Sequence, residues 1–409
     1  MQDKQLYQQS LGLTEPWFVE QVELDVEQQR VDVWVNHRTH ATWSCPQCGH
    51  KAALYDHVQE RTWRHLDTCQ FQTVLHARIP RANCSQHGVL RVSVPWAQGR
   101  SRLTMLFEHW IIDVLQQCRT VTGACNLLNL NWEQAWGVMQ RAVERGQARK
   151  QPQAIAHLGV DEKAFRKGHS YMTVVCDLDR SAVEYVAEDR TSESLAEYYR
   201  SLSPQHLNAI EAVAMDMWNP YVRATLDCVP LAADKIVYDR FHIMNHMNDA
   251  VNKVRVQEHR VLTSQGDDAL KGTKYWWLYT YDHVPDKYLR AFESVRDQNL
   301  RTSRAWAIKE TLRNLWEYRS VAWARKFFKH WFGWARRSRL SPVKDIAAML
   351  KRRLANILTY CDHQITNAVA EGLNSKIMAI KRLAGGYRNK ENFKTAIYFF
   401  CGQLDLYPR

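Results

Sequence analysis

Two hydrophobic periodicities divide the chain. Alternation of period two runs through Val22, Leu24 and Val26, through Val31, Val33 and Val35, and again through Phe71, Thr73, Leu75, Ala77 and Ile79. It predicts paired strands in a small β module over residues 1–95. After a linker at Pro95–Ser101 the apolar positions fall three and four apart over 103–118, 120–128 and 132–145, with Asn129-Leu130-Asn131 as the turn before the last segment. Three such helices predict a helix-turn-helix over 101–148. Its third helix should expose Glu133, Gln134, Gln140, Arg141 and Arg145 and turn its tryptophans inward.

A second linker, Lys150–Gln153, precedes a change of pattern. Strands are expected at 155–161, 169–177 and 182–188, then a helix at 192–202, a strand at 210–216, a helix at 219–227 and a strand at 235–239. Three antiparallel strands followed by two parallel to the first make a mixed sheet over 153–244. Residues 245–360 read as helix throughout, and their seven tryptophans sit at helical spacing, which assigns most of them to a core. In 361–409, Val369, Leu373, Ile377, Ile380 and Ala384 form one apolar stripe, ended by Gly385-Gly386. Glu371, Asn374, Ser375, Met378 and Arg382 fall on the opposite side.

Candidate chemistry sits at the ends of these elements. The run Ile155, Leu158, Val160 ends on Asp161, and the run Ile210 to Met215 ends on Asp216. Two strands that each end on an acid, with a helix carrying Glu371, offer the carboxylates that two-metal phosphoryl chemistry requires. Near the N-terminus the spacing C-x2-C-x35-C-x2-H places Cys45, Cys48, Cys84 and His87 as two knuckles. Three thiolates and an imidazole suit one tetrahedral Zn²⁺ with no open position. Cys69, His57 and His65 remain alternatives for completing that site.

Charge sharpens the picture. The chain of 409 residues carries a net charge of +12 with a pI near 9.2, which points to a polyanionic partner. Residues 301–353 hold fifteen Lys or Arg against three acids, and among them Arg336 and Arg337 suggest a surface that follows a phosphate backbone. By contrast, 155–250 hold fifteen acids against nine bases, as expected where metal ions meet phosphate. Arg61 and Arg64 flank Trp63 between the knuckles and suit DNA contact, as do Gln134, Arg141 and Arg145 on the third helix. No apolar run approaches a membrane span and the polar N-terminus lacks a signal-peptide form, so a cytoplasmic, nucleoid-associated protein is expected. Ten cysteines are then metal ligands or buried thiols rather than disulfides. No phosphate-cradling glycine loop occurs, so no nucleotide cofactor is implied.

GVDEKAFRKGHSY, AMDMWNPY, DRFHI and NAVAEGLNSKIMAIKRLAGGYRN together resemble the DDE transposases of the ISL3 family of bacterial insertion sequences. The resemblance spans nearly the whole chain. It implies a multidomain fold of mixed α+β and α/β type: a zinc-binding β module, a helix-turn-helix, and an RNase H-like core that an all-helical insertion interrupts over 245–360 and the helices of 361–409 complete. The triad would be Asp161, Asp216 and Glu371 holding two Mg²⁺, with Mn²⁺ able to substitute. His242 of Asp239-x2-His242 would be an auxiliary residue. Family members carry a similar zinc-binding domain, usually with cysteine where this chain has His87. Lys376, Arg382 and Arg388 in the last motif would contact DNA. The partners implied are double-stranded DNA carrying terminal inverted repeats, target DNA, and a second copy in a dimer or larger assembly. A silent DNA-binding regulator and a structure-selective nuclease are the rival readings.

Overall fold

A computed structural model describes residues 3–166 and 170–409. The first two residues of the expected β module and the start of the expected strand at 169 lie outside them. The chain divides into two compact units, Met1–Lys150 with Ile380–Arg409, and Gln151–Ala379. Residues 380–409 thus group with the N-terminal part, apart from the rest of the 361–409 segment.

In the first unit, α1 (Asp3–Ser10), which the alternation did not announce, precedes β1 (Trp17–Asp25) and β2 (Arg30–His37). There follow β3 (Trp43–Ser44), β4 (Lys51–His57), β5 (Arg61–Arg64), β6 (Gln72–Ala77), β7 (Pro80–Cys84) and β8 (Gly88–Arg91). They form two four-stranded sheets, β1-β2-β6-β5 and β3-β4-β7-β8. Val31, Val33, Val35 and Leu75 turn one face inward, where Val33 and Leu75 are fully buried with Trp63 and Trp96, whereas Leu24 and Val26 of the first alternating run are exposed. Three helices follow, α2 (Met105–Cys118), α3 (Val121–Leu128) and α4 (Trp132–Arg149). Thr104, Thr120 and Asn131 cap them by accepting from Phe107, Gly123 and Gln134 N–H groups.

The second unit opens with β9 (His157–Arg166), β10 (Ser170–Asp177) and β11 (Ala182–Glu188), an antiparallel run. Then come α5 (Ser192–Ser201), α6 (Pro204–Ala209), β12 (Ala212–Met215), α7 (Asn219–Cys228) and β13 (Ile236–Tyr238). The strand order is β11-β10-β9-β12-β13, with β12 parallel to both its neighbours. Asp161 was expected at a strand end. Instead β9 continues to Arg166, because β10 keeps pairing with it after β12 has stopped at Val160.

Among the described residues from 240 to 363 there is no strand. α8 (Arg240–Ser264) is a long helix, followed by α9 (Asp286–Arg296), α10 (Arg301–Arg313), α11 (Val321–Arg337), α12 (Ser341–Arg352), α13 (Leu354–Leu358) and α14 (Tyr360–His363); α10 and α12 pack on α8, α9 packs on α10, and α11 packs on α10 and α12. This helical region shares one continuous hydrophobic core with the sheet, from Ile155 and Val213 through Met247 and Trp277 to Leu350 and Leu358. Trp277, Trp306, Trp316 and Trp331 are buried in it, whereas Trp323 and Trp334 are exposed. α15 (Ala368–Leu383) and α16 (Lys390–Cys401) end the chain.

The start of α15 lies close against β9, and Gly159 makes that approach possible. A Cβ at 159 would stand 2.6 Å from Leu178 Cδ2, 3.0 Å from Asn367 Oδ1 and 3.2 Å from Ala370 Cβ. Any larger residue would push the helix bearing Glu371 away from the strand bearing Asp161.

Candidate functional site

Register brings the acids together. Val160 pairs with Met215, and Met215 with Tyr238, so the next residue on each strand stands at the same level. Those residues are Asp161, Asp216 and Asp239. Parallel neighbours lie about 4.8 Å apart, so a row of carboxylates crosses three strands. Asp161, Glu162 and Asp216 offer ligand atoms within 4.8 Å of one another, and so do Asp216, Asp239 and His242. Glu371 joins neither group among the described residues. It lies in the first turn of α15 and lines a cavity of about 330 Å³ together with Asp239, Arg240, Phe241 and Arg313. The structure thus brings Asp161 and Asp216 together, with Glu162 and Asp239 beside them, and does not bring Glu371 into either group.

Asp239 was legible by the rule that found Asp216, since it too ends a buried strand. Glu162 was not. Strand alternation sends 161 and 162 to opposite faces, yet Asp216, just beyond the end of β12, is within reach of both.

Several contacts hold the row in place. His242 Nδ1 is 2.9 Å from Asp216 Oδ2. Asp239 is the N-cap of α8, accepting from the Phe241 N–H at 3.2 Å. Arg190 Nη1 donates to Glu162 Oε1 at 3.4 Å while its guanidinium stacks on Tyr171 and Trp218. The Asn374 amide donates to Asp161 Oδ2. This corrects the helical-wheel expectation for Asn374. It is only 3% exposed, with Ala370, Leu373 and Ile377 buried beside it, and Ala384 is exposed.

The row is electrostatically unsatisfied. Burial pushes Asp161 up to about 6, with Asp216 and Glu162 adding to the rise, and burial does the same for Asp239, also to about 6. Burial and the charge of Asp216 raise Glu162. Burial alone would lower His242, but its hydrogen bond to Asp216 and the surrounding carboxylates raise it overall. Asp216 Oδ1, Asp239 Oδ2 and Glu162 Oε2 are buried without a hydrogen-bond partner. Desolvated, unpaired carboxylate oxygens facing one another fit a hard divalent cation.

The knuckles build a different centre. Cys45 and Cys48 lie on the β3–β4 turn, Cys84 ends β7 and His87 lies on the β7–β8 turn, with all four donors within 4.8 Å. Gly49 (φ 74°) and Gly88 (φ 68°) follow the two knuckles in the left-handed region, where nothing crowds them. Glycine is there for backbone conformation alone. Cys48 Sγ is 3.7 Å from Cys84 Sγ, and His87 Nδ1 is 3.8 and 3.7 Å from Cys45 and Cys84 Sγ. A tetrahedron with bonds of about 2.3 Å has edges of about 3.8 Å, so the spacing fits zinc. The N–H groups of Gln86 and His87 lower Cys84 to about 6, favouring the thiolate. The alternative ligands are engaged elsewhere or stand outside the cluster. His57 Nε2 meets His37 Nε2 at 2.8 Å, His65 Nδ1 meets Thr104 Oγ1 at 2.9 Å, and Cys69 is exposed.

Two residues expected to be exposed on α4 are instead engaged. Arg141 pairs with the buried Glu108 of α2. Arg145 donates to Gln98 Oε1 at 2.9 Å and Leu406 O at 3.1 Å, and is 3.7 Å from Glu108. Gln134 closes a capping box with Asn131 but stays exposed with Glu133 and Gln140. Trp136 is buried as expected, whereas Trp132 is exposed. Arg64 turns inward onto His65 O, Asp67 and the Phe107 ring. Arg61 instead lines a cavity of about 220 Å³ with Arg91 and Arg100. Arg336 and Arg337 are exposed on α11, and Lys376, Arg382 and Arg388 are exposed around the end of α15.

Residues 158–397 match the family profile for the ISL3 DDE transposases, residues 41–87 that for the zinc-finger of transposases IS204/IS1001/IS1096/IS1165, and residues 92–143 that for the helix-turn-helix domain of transposase family ISL3. The chain belongs to the ISL3 family. It is 28% identical over 398 residues to the transposase for insertion sequence element IS1001 of Bordetella parapertussis, covering 96% of this chain and 97% of that one. It is 24% identical over 420 residues to the transposase for IS1557 of Mycobacterium tuberculosis (strain H37Rv), covering 96% and 94%. No helix among the described residues is long and apolar enough to cross a membrane.

Two expectations follow. Cys48→Ser should lower bound zinc well below one equivalent by elemental analysis and destabilise the N-terminal sheets, because a closed site contributes folding free energy directly; full zinc retention would exclude this ligand set. For Asp161, the unfolded chain ionises near 3.8 and the folded one near 6. Stability therefore falls as pH climbs through that window and stays lower above it. Asp161→Asn, with the Asn374 amide turned over to present its unpartnered Oδ1, should raise the melting temperature of protein free of added divalent ions at pH 7.5. Each kcal/mol corresponds to roughly 2–4 °C, and the gain should vanish near pH 4. An equal shift at both pH values would show that the charge is not its cause.

Proposed function

We propose that this transposase binds the terminal inverted repeats of its own element and cuts and rejoins DNA by metal-dependent phosphoryl transfer. What carries the reading is the common level of Asp161 and Asp216 on adjacent strands, with a buried carboxylate oxygen left unpaired. The sheet order and the close approach of the start of α15 to Gly159 support an RNase H-like core, and the helices between β13 and α15 read as its insertion. Asp161, Asp216 and Glu371 are assigned to hold two Mg²⁺, for which Mn²⁺ can substitute. Bound there, the ions would supply an activated water or 3′-hydroxyl and stabilise the leaving oxygen.

The chain's own side chains orient that centre. Asn374 fixes the Asp161 carboxylate, His242 fixes that of Asp216, and Arg190, held between two rings, fixes Glu162. Restricting these rotamers lowers the reorganisation needed when phosphate arrives.

Sequence recognition is assigned to residues 1–150. Cys45, Cys48, Cys84 and His87 would hold one structural Zn²⁺, and exposed Gln134 and Gln140 would read base edges. Arg141 and Arg145, bound to Glu108, would orient α4 instead of touching bases. Arg61 with Arg91 and Arg100, and Lys376, Arg382 and Arg388, would meet phosphates. α11 presents Arg325, Lys326, Lys329, Arg336 and Arg337 on one exposed face, a phosphate-following surface. Work on paired DNA ends calls for a dimer or larger assembly.

Alanine at Asp161, Asp216 or Glu371 should lower cleavage of a duplex carrying the element's ends by roughly a thousandfold or more, non-additively, and leave end-binding nearly intact. Full activity in Glu371→Ala would remove that residue from the assignment. Each phosphate contact adds about 0.9 to the slope of log affinity against log salt, so Arg336→Ala with Arg337→Ala should flatten the slope by up to about 1.8 without changing sequence preference. An unaltered slope would mean that neither arginine meets DNA.

A further inference from the structure

Gly146 weakens the interior of α4, since glycine is a poorer helix former than alanine, and a close approach explains its place there. A Cβ at 146 would stand 2.6 Å from Leu404 Cβ and 3.3 Å from Leu404 Cδ1. Leu404 belongs to the segment after α16, which leaves that helix at Gly402 and turns at Gln403, with φ 49°. The segment then engages both α4 and α2. From α4, Arg145 Nε donates to Leu406 O at 3.1 Å and Arg149 Nη1 to Tyr407 O at 2.6 Å. Tyr407 in turn reaches α2, donating its hydroxyl to Asp113 Oδ1 at 2.7 Å and setting its ring 4.1 Å from that of His109. Leu406 is only 2% exposed, and all these residues belong to one compact unit.

We propose that residues 404–407 form a positioning strap for α4, fixing the angle on α2 at which Gln134 and Gln140 meet base edges. Sequence reading then requires residues beyond 380 as well as 1–150. The inference rests on the terminal-repeat reading given above and deepens it by naming a part of the reader that lies outside the three helices.

Three physical arguments support the strap. Its contacts run to both helices within four successive residues, so it cannot follow one helix without leaving the other, and hydrogen bonds from guanidinium groups are among the stronger ones. Arg145 also stands 3.7 Å from Glu108 of α2 and donates to Gln98 Oε1 at 2.9 Å. One guanidinium therefore joins α2, the linker before it and the strap. The third argument is leverage. Gln134 and Gly146 are twelve residues apart on α4, about 18 Å at the rise of an α-helix. A tilt of about 5° over that length moves one end by about 1.5 Å, more than a hydrogen bond to a base edge tolerates.

The test uses the full-length protein and compares its affinity for a duplex carrying the element's terminal repeat with that for a random duplex of equal length. Gly146→Ala separates positioning from folding, because alanine strengthens α4 as a helix while its Cβ meets Leu404. It should keep wild-type zinc content and random-duplex affinity and lose roughly tenfold in affinity for the repeat, the order of one base contact. Leu406→Asp places a charge where Leu406 is buried, and should release the strap with the same selective loss. Adding Leu404→Gly to Gly146→Ala removes the opposing Cβ and should recover most of the affinity. Unchanged affinity for the repeat in both Gly146→Ala and Leu406→Asp, or equal losses on the two duplexes, would overturn the proposal and leave the terminal-repeat reading intact. A wild-type protein without preference for the repeat would overturn both.

Discussion

The parallel pairing of β12 with β9 and β13 is the constraint on which the site depends. Because Val160, Met215 and Tyr238 share one level, three successive acids are forced to one edge of the sheet, at strand spacing and partly out of water. A shift of register by one residue would send the row to alternate faces. The strand residues behind it, Leu158, Val160, Val213, Met215 and Ile236, are fully buried. Slipping the register would expose that apolar surface, so the hydrophobic core fixes the position of the charge.

Holding carboxylates so close is unfavourable in the isolated chain. The raised values of Asp161, Asp239 and Glu162 and the net rise at His242 all trace to that cost or to the compensation for it. The fold offsets it only in part, with single donors from Asn374, His242 and Arg190. A fully neutralised row would be more stable and would have no demand for a cation. Partial compensation is thus the property that suits the site to bind metal.

Legibility in the sequence followed how local each cause was. The zinc knuckles were readable because ligand spacing and the glycine after each pair are local. Asp161 and Asp216 could be singled out because each follows a short buried apolar run, even though β9 runs on past Asp161. Long-range partners were not readable. Nothing near Arg141 or Arg145 announces Glu108, one helix-pair away in sequence, as the carboxylate that takes them from the surface. Asn374 looked exposed because a wheel assigns faces from hydrophobicity, whereas a buried amide there is held by Asp161 across more than two hundred residues. Neither the position of Glu371 beside Asp239 nor the burial of Asn374 could be drawn from a stripe alone.

The long helix α8 ties the row to the helical region. Its first turn carries Asp239 and His242, and its body buries Met247, Val251 and Val254 in the core that α10 and α12 complete. The basic face of α11 packs on that same core through Ala324, Phe328 and Trp331. The basic face of α11 and the geometry of the acids are thereby joined through packed side chains. The acids of 155–250 and the cations of 301–353 belong to the same unit, which thus carries both signs of charge, and Arg313 lines the cavity beside Asp239 and Glu371.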